Sequence, residues 1–488
     1  MFIKAGAVAL ALLLASRVLG LVRESAQAAV FGASGLADVA VLMLTLPDWI
    51  TSLLVSGGLA YVLLPAWAGR GAPEVGQLQR SVARWLLVSG AAVAAATVAL
   101  RTPLVAMLAP GLPDALQTPA ATALVWSALA LPAAMLAALW VTRLQHEGDV
   151  AGMYTANLVV NIVVIASIAF APSVANPVWV LGPGLLAGLL MRLAWLAWRQ
   201  RPRSARGPAA RAGAAMPGAQ VWLWAALSAG LPLALPFVAR SAASQSGAGA
   251  LATFNYAWKL VELPLVLAIQ LVAALAFPAI ARSMRGEPNA TPHGQEAVNS
   301  AFALAWTLAC AAAAGLLLGA PALAQLLFGW GRMDLQSLEL VSRWGAAGAW
   351  GLLPQALVAV ALTVLATQSR LGLAVCAHAL ALAVLVGVAA AGLSDGYRLM
   401  QLLNILYTVV ATVTLASLGM RTLARLPWHT FGCSFAGLLL VALAAGVGDA
   451  ALRQLGVAAG LAVAAVAGLV LTGMTWLASP VLRQALRR

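Results

Sequence analysis

Residues 199–219 read RQRPRSARGPAARAGAAMPGA, the longest linker in the chain. Arginine, proline, alanine and glycine dominate it, so it has no apolar face to bury. It is expected to be poorly ordered and to meet anionic lipid head groups. Apolar sequence borders it on both sides. A helix that spans a bilayer needs about 20 mostly apolar residues. Upstream, six such segments are expected, at 4–30, 37–66, 82–108, 120–143, 151–171 and 177–198. Downstream, eight are expected, at 220–244, 250–280, 299–328, 337–367, 371–393, 397–419, 430–448 and 454–478.

Composition agrees with about fourteen spans. Of 488 residues, 63% are hydrophobic and 9% charged, and mean hydropathy is +0.95. A soluble chain of this length would need far more polar surface. Pro47, Pro232, Pro236, Pro264 and Pro354 fall within spans. Membrane helices tolerate such prolines, which often mark kinks beside a cavity. The fold class is therefore an all-α polytopic membrane protein.

The formal charge of +14 reads as topology rather than nucleic-acid binding, because the arginines lie in short loops between apolar segments. With an even span count both termini share a side. That side carries Arg70, Arg80, Arg143, Arg282, Arg285, Arg370, Arg421, Arg425, the linker arginines and the tail Arg483, Arg487 and Arg488. The opposite loops hold Arg101, Arg332, Arg398 and Arg453. The asymmetry places both termini and the linker in the cytoplasm. Lys4 before an apolar run imitates a signal peptide, but Arg17 and Arg23 interrupt it, so a retained first helix is expected. Cys310, Cys376 and Cys433 are widely spaced and form no CxxC pair, which points to small buried residues. No metal or cofactor is expected.

Six spans, a linker and eight spans suggest two similar halves and an appended pair, a common transporter plan around a central cavity. The expected divisions are an N-terminal lobe at 1–198, the linker at 199–219, a C-terminal lobe at 220–419, and a helix pair with a basic tail at 420–488.

An ionisable side chain at bilayer depth is costly, so each is a functional candidate. The first span carries Arg17, Arg23 and Glu24, and the second Asp38 and Asp48. The seventh ends near Arg240, the eighth holds Lys259 and Glu262, and Arg343 lies near the start of the tenth. Arg17 and Arg23 are six residues apart and point in different directions. Lys259 and Glu262 share a face, either as an internal ion pair or as part of a site. Asp38 either binds ligand or serves a helix N-terminus. Asp48 follows Pro47 and could bond backbone freed by the kink. Arg240 and Arg343 either face a cavity or snorkel to an interface. Arginine presents a planar fork matched to phosphate oxygens. If Arg17, Arg23, Arg240 and Lys259 converge, they make a cationic cavity suited to a pyrophosphate head group, which cannot cross hydrocarbon unaided.

Three blocks carry a family resemblance: SRVLGLVRESAQAAVFGASGLADVAVLMLTLPDWI (16–50), GALATFNYAWKLVELPLVLAIQLVAALAFPAIAR (249–282) and LLFGWGRMDLQS (326–337). Together with the span count they resemble the MurJ (MviN) family of lipid-linked sugar flippases over nearly the whole chain. The resemblance implies two six-helix lobes around a central cavity. It also implies flipping of undecaprenyl-pyrophosphate-linked sugars, lipid II in the type case, from the cytoplasmic to the periplasmic leaflet of a bacterial inner membrane by a monomer. Its important positions fall on Arg17, Arg23, Asp38 and Lys259. The sequence departs from the family pattern after Pro47, where Thr51 and Ser52 stand in place of arginine, and at Ser56 and Gly57 in place of Glu-Gly. Spans seven and eleven contain no carboxylate, unlike members that use sodium there.

A flippase for another lipid-linked saccharide, as in exopolysaccharide synthesis, and a flipping-inactive scaffold remain alternatives. A drug antiporter of the same superfamily should have a more acidic cavity. A membrane glycosyltransferase or polymerase needs acids or a base in sizeable loops, and no loop here carries a DxD pair, so no enzyme is expected. The site residues expected on these grounds are Arg17, Arg23, Asp38, Arg240, Lys259 and Glu262.

The topology is testable by cysteine labelling. A cysteine placed at Ala205 in the linker should react only when reagent reaches the cytoplasm. Labelling by an impermeant reagent added outside intact inner membranes would overturn the orientation.

Overall fold

The computed structural model describes residues 2–68, 70–200, 218–270, 272, 291–368, 370–448, 452 and 454–485. Among these residues every regular element is helical. That is the physical solution expected in hydrocarbon, where backbone N–H and C=O groups must find partners within the same segment.

The first nine helices are α1 Phe2–Phe31, α2 Gly35–Leu53, α3 Leu59–Trp67, α4 Ala72–Ala99, α5 Arg101–Leu108, α6 Asp114–Glu147, α7 Val150–Phe170, α8 Val178–Arg199 and α9 Ala219–Ala243. The remainder are α10 Ala250–Pro264, α11 Thr291–Phe328, α12 Leu335–Gly348, α13 Leu352–Thr367, α14 Gly372–Ala390, α15 Gly396–Ala416, α16 Met420–Ala424, α17 Trp428–Val447, α18 Val457–Ala478 and α19 Pro480–Ala485.

Twelve helical stretches among the described residues are long and apolar enough to cross a membrane. They match twelve of the fourteen expected segments. The first expected segment lies in α1, whose thirty residues carry Lys4, Arg17, Arg23 and Glu24. The eighth starts with α10 and runs into residues 273–280, outside the described residues. The body of the basic linker, 201–217, is also outside them.

Several expected spans prove to be interrupted. Segment 37–66 is α2, a π-helical stretch Leu54–Gly58, and α3. Segment 82–108 is the end of α4, which starts ten residues earlier at Ala72, and then α5 beyond a non-helical Leu100. Segment 337–367 is α12, a 3-10 turn Ala349–Gly351, and α13. Total hydrophobicity, the quantity that identifies a span, does not register these breaks. They follow from glycine and proline, which weaken the local ladder. A second π-helical stretch, Leu265–Gln270, follows Pro264. Thus α2 and α10, both charge-bearing helices, each run into π geometry, a feature concentrated at functional sites.

The chain divides into two compact units. One is Met1–Ala234 with Ser244–Ala252; the other is Leu235–Ala243 with Thr253–Arg488. In the first unit α6 is the central helix and packs against α2, α4 and α8, while α7 packs between α1 and α8. The buried stripe Ala120, Ala123, Leu124, Ser127, Ala128, Leu131 and Ala134 keeps α6 thin on its packed face. Small residues allow such close approach where lipid gives helices no hydrophobic drive to associate. At Gly182 of α8 a Cβ would fall 2.2 Å from the Trp126 ring of α6.

In the second unit α11 is central and packs against α12, α13, α17 and α18. Its seam with α18 is again built of small residues. A Cβ on Gly319 would lie 2.6 Å from Ala464, and one on Gly460 2.8 Å from Ala322.

Polar caps close the helix ends. Ser34 accepts from the Ala37 N–H at the start of α2 (3.3 Å). Asp149 accepts from the Gly152 N–H at the start of α7 (2.9 Å) and also takes both Nε and Nη2 of Arg199 at the end of α8 (2.9 and 2.8 Å). Asp334 and Asp395 cap α12 and α15 through the N–H groups of Ser337 and Arg398, each at 2.8 Å.

The Asp334 cap makes a signed prediction. Hydrogen bonds from the Ser337 N–H and hydroxyl hold its carboxyl below the ordinary range. A lowered folded-state value means the stabilisation is complete above the unfolded value and is lost as pH falls through the folded one. Asp334→Ala should therefore cost about 1 kcal/mol near neutral pH. The gap from the wild type should shrink in acid. Thermal unfolding in detergent at several pH values checks both the size and the trend.

Candidate functional site

In the first unit the expected site residues fall into two groups. Arg23 of α1 is the centre of the first. Its side chain is 12% exposed, and its Nη2 donates to Glu24 Oε1 and Asp48 Oδ2, each at 2.9 Å. Asp48 therefore pairs with α1 instead of bonding the backbone at the Pro47 kink. Glu24 is buried, whereas the Asp48 side chain is 52% exposed. Arg23 still has a buried Nε with no hydrogen-bond partner among the described residues.

Arg17, six residues earlier, is exposed. Its charge acts on Tyr154 of α7. Between the two arginines, Gly20 leaves room for Asn161 of α7, whose side-chain nitrogen would lie 3.9 Å from a Cβ there. Asn161 is itself buried.

Sequence reasoning missed one member of this group. Arg192 of α8 is 5% exposed. Its Nε is buried with no hydrogen-bond partner among the described residues. The carboxylate whose charge acts on it is Asp48, and α8 packs against α2 as well as α6 and α7. The signal was present in the sequence: an arginine flanked by Met191 and Leu193 inside an apolar run. Its nearness to the basic end of the span at Arg199 hid it. Arg23 thus meets two carboxylates, Glu24 and Asp48, the charge of Asp48 also acts on Arg192, and Arg17 stands apart as an exposed residue.

Asp38 forms the second group. It lies ten residues from Asp48 on α2, about 15 Å along the helix axis. It is 2% exposed, and its two oxygens accept from the backbone N–H groups of Gly249 (2.6 Å) and Ala252 (2.8 Å). The N-terminus that Asp38 serves is therefore that of α10, not its own, which Ser34 caps. Gly249 takes a positive φ of 84°, a backbone conformation that favours glycine. A Cβ on it would also strike the Ala33 carbonyl oxygen at 2.0 Å.

In the second unit three expected residues come together. Arg240 of α9 donates to Asn255 Oδ1 of α10 at 2.7 Å and stacks over Phe237 at 5.4 Å. Asn255, Lys259 and Glu262 follow at i, i+4 and i+7 along α10 and so share one face. Lys259 Nζ donates to Glu262 Oε2 at 2.7 Å, with the two side chains 26% and 35% exposed. Buried Tyr407 of α15 lies in the field of Glu262 and stacks on Trp258 at 6.4 Å. Arg343 stands elsewhere in the unit, over the Tyr397 ring at 4.9 Å. It lines a cavity of about 580 Å³ together with Glu339, Gln401 and Asn404, a cavity that Arg240, Lys259 and Glu262 do not line. Among the described residues, no three His, Cys, Asp or Glu side chains come together as a metal site would require.

The family model for the lipid II flippase MurJ matches residues 27–477. The chain belongs to the MurJ family. Membership makes it a transporter rather than an enzyme, and its helices make it a polytopic membrane protein.

Solved structures agree on the fold. A MurJ lipid II flippase in an inward closed conformation superposes with a TM-score of 0.74 at 12% identity, over 96% of this chain and 98% of that one. An inward-facing multidrug-resistance MATE transporter of the MOP superfamily matches at 0.65 and 15% identity, over 83% and 95%. A MOP superfamily transporter from Pyrococcus furiosus, described as having a binding pocket of reverse polarity, matches at 0.58 and 15%, over 86% and 96%. At these identities the likeness is one of fold alone. Comparison with curated protein sequences found no match.

Within the MurJ frame the Asp38 geometry makes a stability prediction. Asp38→Ala strands two buried backbone donors, each in a charge-assisted hydrogen bond worth about 1.5–3 kcal/mol. Asp38→Asn keeps one acceptor oxygen. Folded yield and thermal midpoint in detergent should fall in the order wild type, Asn, Ala. An Ala variant as stable as the wild type would remove Asp38 from the support of α10.

Proposed function

We propose that this MurJ-family protein moves an undecaprenyl-pyrophosphate-linked saccharide, lipid II above all, from the cytoplasmic to the periplasmic leaflet of the bacterial inner membrane by alternating access. In this reading it acts as a monomer with both termini in the cytoplasm, and membrane lipids are its other contacts.

The observation that carries the reading is the Arg23 guanidinium. It is nearly buried in a membrane helix, paired to Glu24 and Asp48, and retains a buried N–H with no acceptor among the described residues. A charge so placed is expensive unless it has work to do. A pyrophosphate offers several anionic oxygens to such a fork, and bidentate charge-assisted hydrogen bonds favour arginine for that task. The head group itself faces a prohibitive desolvation cost in hydrocarbon. Cations in protein walls replace the lost water, while the polyprenyl chain stays in lipid. Arg17 in the first unit and Arg240 with Lys259 in the second supply further positive charge. Asp38 and Glu262 act through their partners, one holding the start of α10 and the other holding Lys259. The family membership supports lipid II as cargo. Thr51 and Ser52, where the family pattern has arginine, favour as a second reading a flippase for a different lipid-linked saccharide.

The test is complementation of cells depleted of their own MurJ, with lipid II exposure at the outer leaflet measured directly. Restored growth and exposure support lipid II. Failure, with restored export in cells lacking a polysaccharide-precursor flippase, supports the second reading. Arg23→Ala and Lys259→Ala should lose about tenfold to a hundredfold in head-group affinity and abolish flipping at normal protein levels. Lys259→Arg should be tolerated, and Glu262→Gln should be milder than Lys259→Ala. Equal loss of folded protein in Lys259→Ala and Glu262→Gln would instead make the pair structural.

A further inference from the structure

We propose that the cleft between α11, α12 and α15 in the second unit binds one zwitterionic aminophospholipid, with the ammonium at Glu339, the phosphate at Arg343 and the acyl chains deeper along the same cleft. This lipid is a resident of the membrane and not the cargo, so the site stands or falls apart from the flippase reading. The cleft exists because α12 packs on both α11 and α15 while small residues, Ala320, Ala346 and Ala347, line it and leave about 580 Å³ of space. Asn404 ties α15 to α12 by donating its side-chain N–H to the Ala347 carbonyl at 2.7 Å.

Three observations point to a lipid. First, the cleft opens toward acyl chains. Leu335, one of its lining residues, is 80% exposed. Leu326, next to Gln325 on α11, and Ile405, next to Asn404 on α15, are exposed as well. Exposed leucine and isoleucine on membrane helices match lipid tails in polarity. Trp330, just past the end of α11, is exposed and bonds its indole N–H back to the Leu326 carbonyl at 2.7 Å. That is the habit of an aromatic anchor at a membrane interface. Second, the same cleft is lined by Gln325, Glu339, Ser342, Arg343 and Gln401, groups that acyl chains cannot satisfy. Charge at bilayer depth is retained where it has work to do, and the cargo site makes no use of Arg343. Third, the lining changes with depth in the order of a phospholipid. Glu339 lies near the start of α12, and Arg343 lies one turn further in, about 6 Å along the axis. Ala346, Ala347 and Trp350 lie deeper still. On α11, Leu317 lies eight residues inward of Gln325, about 12 Å along the axis. A phospholipid entering from this edge brings its ammonium outermost, its phosphate next and its chains last. By the proposed orientation the edge is periplasmic.

The two signs of charge select the head group. The face of the Arg343 guanidinium lies over the Tyr397 ring at 4.9 Å. A cation held by its face keeps its edge N–H groups for phosphate oxygens. Every phospholipid supplies that phosphate, so Arg343 alone does not discriminate. Glu339 does. An anionic glycerol head group brings no cation to it, and a quaternary choline brings a cation without an N–H donor. A primary ammonium brings three N–H donors, which the Glu339 carboxylate and the carboxamide oxygens of Gln325 and Gln401 can accept. The lining carries one positive and one negative side chain, Arg343 and Glu339, and a zwitterion is complementary to both.

The experiment titrates the full-length protein in detergent with three dioleoyl lipids, phosphatidylethanolamine, phosphatidylcholine and phosphatidylglycerol, and counts bound lipid by native mass spectrometry. Size-exclusion profile and thermal midpoint report folding. The wild type should hold one phosphatidylethanolamine about threefold to tenfold more tightly than either other lipid. Glu339→Gln should erase that preference, mainly by weakening phosphatidylethanolamine. Arg343→Gln should weaken all three lipids by a similar factor, about threefold to tenfold, and Arg343→Lys should recover part of the loss. Arg398→Gln, an exposed cation on α15 outside the cleft, should change nothing. Equal affinity of the wild type for the three lipids overturns the proposal. So does an unchanged preference in a folded Glu339→Gln protein, or unchanged binding in Arg343→Gln. Displacement of the bound phosphatidylethanolamine by a soluble N-acetylglucosamine disaccharide would also overturn it and give the cleft to a sugar. Should Arg343→Gln fail to fold, Arg343→Lys and Glu339→Gln still decide.

Discussion

Hydrocarbon offers a polar group no partner, and the rest of this structure depends on that constraint. Each backbone N–H and C=O at membrane depth must be answered within the protein, which is why the described elements are helices. The same constraint operates at every helix end and interruption. Ser34, Asp149, Asp334 and Asp395 each answer the exposed N–H groups of a helix start. Asp38 does so across the chain for α10, with both carboxylate oxygens engaged. Acidic residues are scarce here, 14 in all, and many of those described either cap a helix or neutralise an arginine.

Side-chain charge obeys the same rule less completely. Arg199 finds both oxygens of Asp149, and Arg240 finds Asn255. Elsewhere in the first unit the match is incomplete. Arg23 and Arg192 keep buried N–H groups without acceptors among the described residues. Arg70 and Arg143 also keep a buried N–H without an acceptor among the described residues. In the second unit Lys259 is matched by Glu262, as Arg23 is by Glu24 and Asp48 in the first.

The structural relatives span flippases and multidrug transporters on one helical frame. A frame shared by such different cargoes does not name a ligand; the side chains inside it do. Here those side chains are of both signs in the first unit, Arg17, Arg23 and Arg192 beside Glu24, Asp38 and Asp48. The helices that carry charge in the two units, α2 and α10, each pass into a π-helical stretch. That parallel fits repeated halves in which the same helix is weakened twice.

The sequence by itself determined the membrane class, the helical content, the positions of most spans and the family. All of these depend on the summed transfer free energy of contiguous residues or on local motifs, and both are written along the chain. It also marked Arg17, Arg23, Asp38, Arg240, Lys259 and Glu262, because a charge in an apolar run is visible without coordinates. It even anticipated the Lys259–Glu262 pair, since three residues of helix bring them to one face. Only the tertiary structure decided what the other charges meet. Asp38 and Gly249 are 211 residues apart, and Arg23 and Asp48 are 25 apart on different helices. Arg192 reads as the approach to a basic helix end until α8 is packed against its neighbours. Helical periodicity specifies the direction a side chain leaves its own axis, but not which helix stands there. Electrostatic partnership falls off with distance through space, so it became legible only once packing had set that distance.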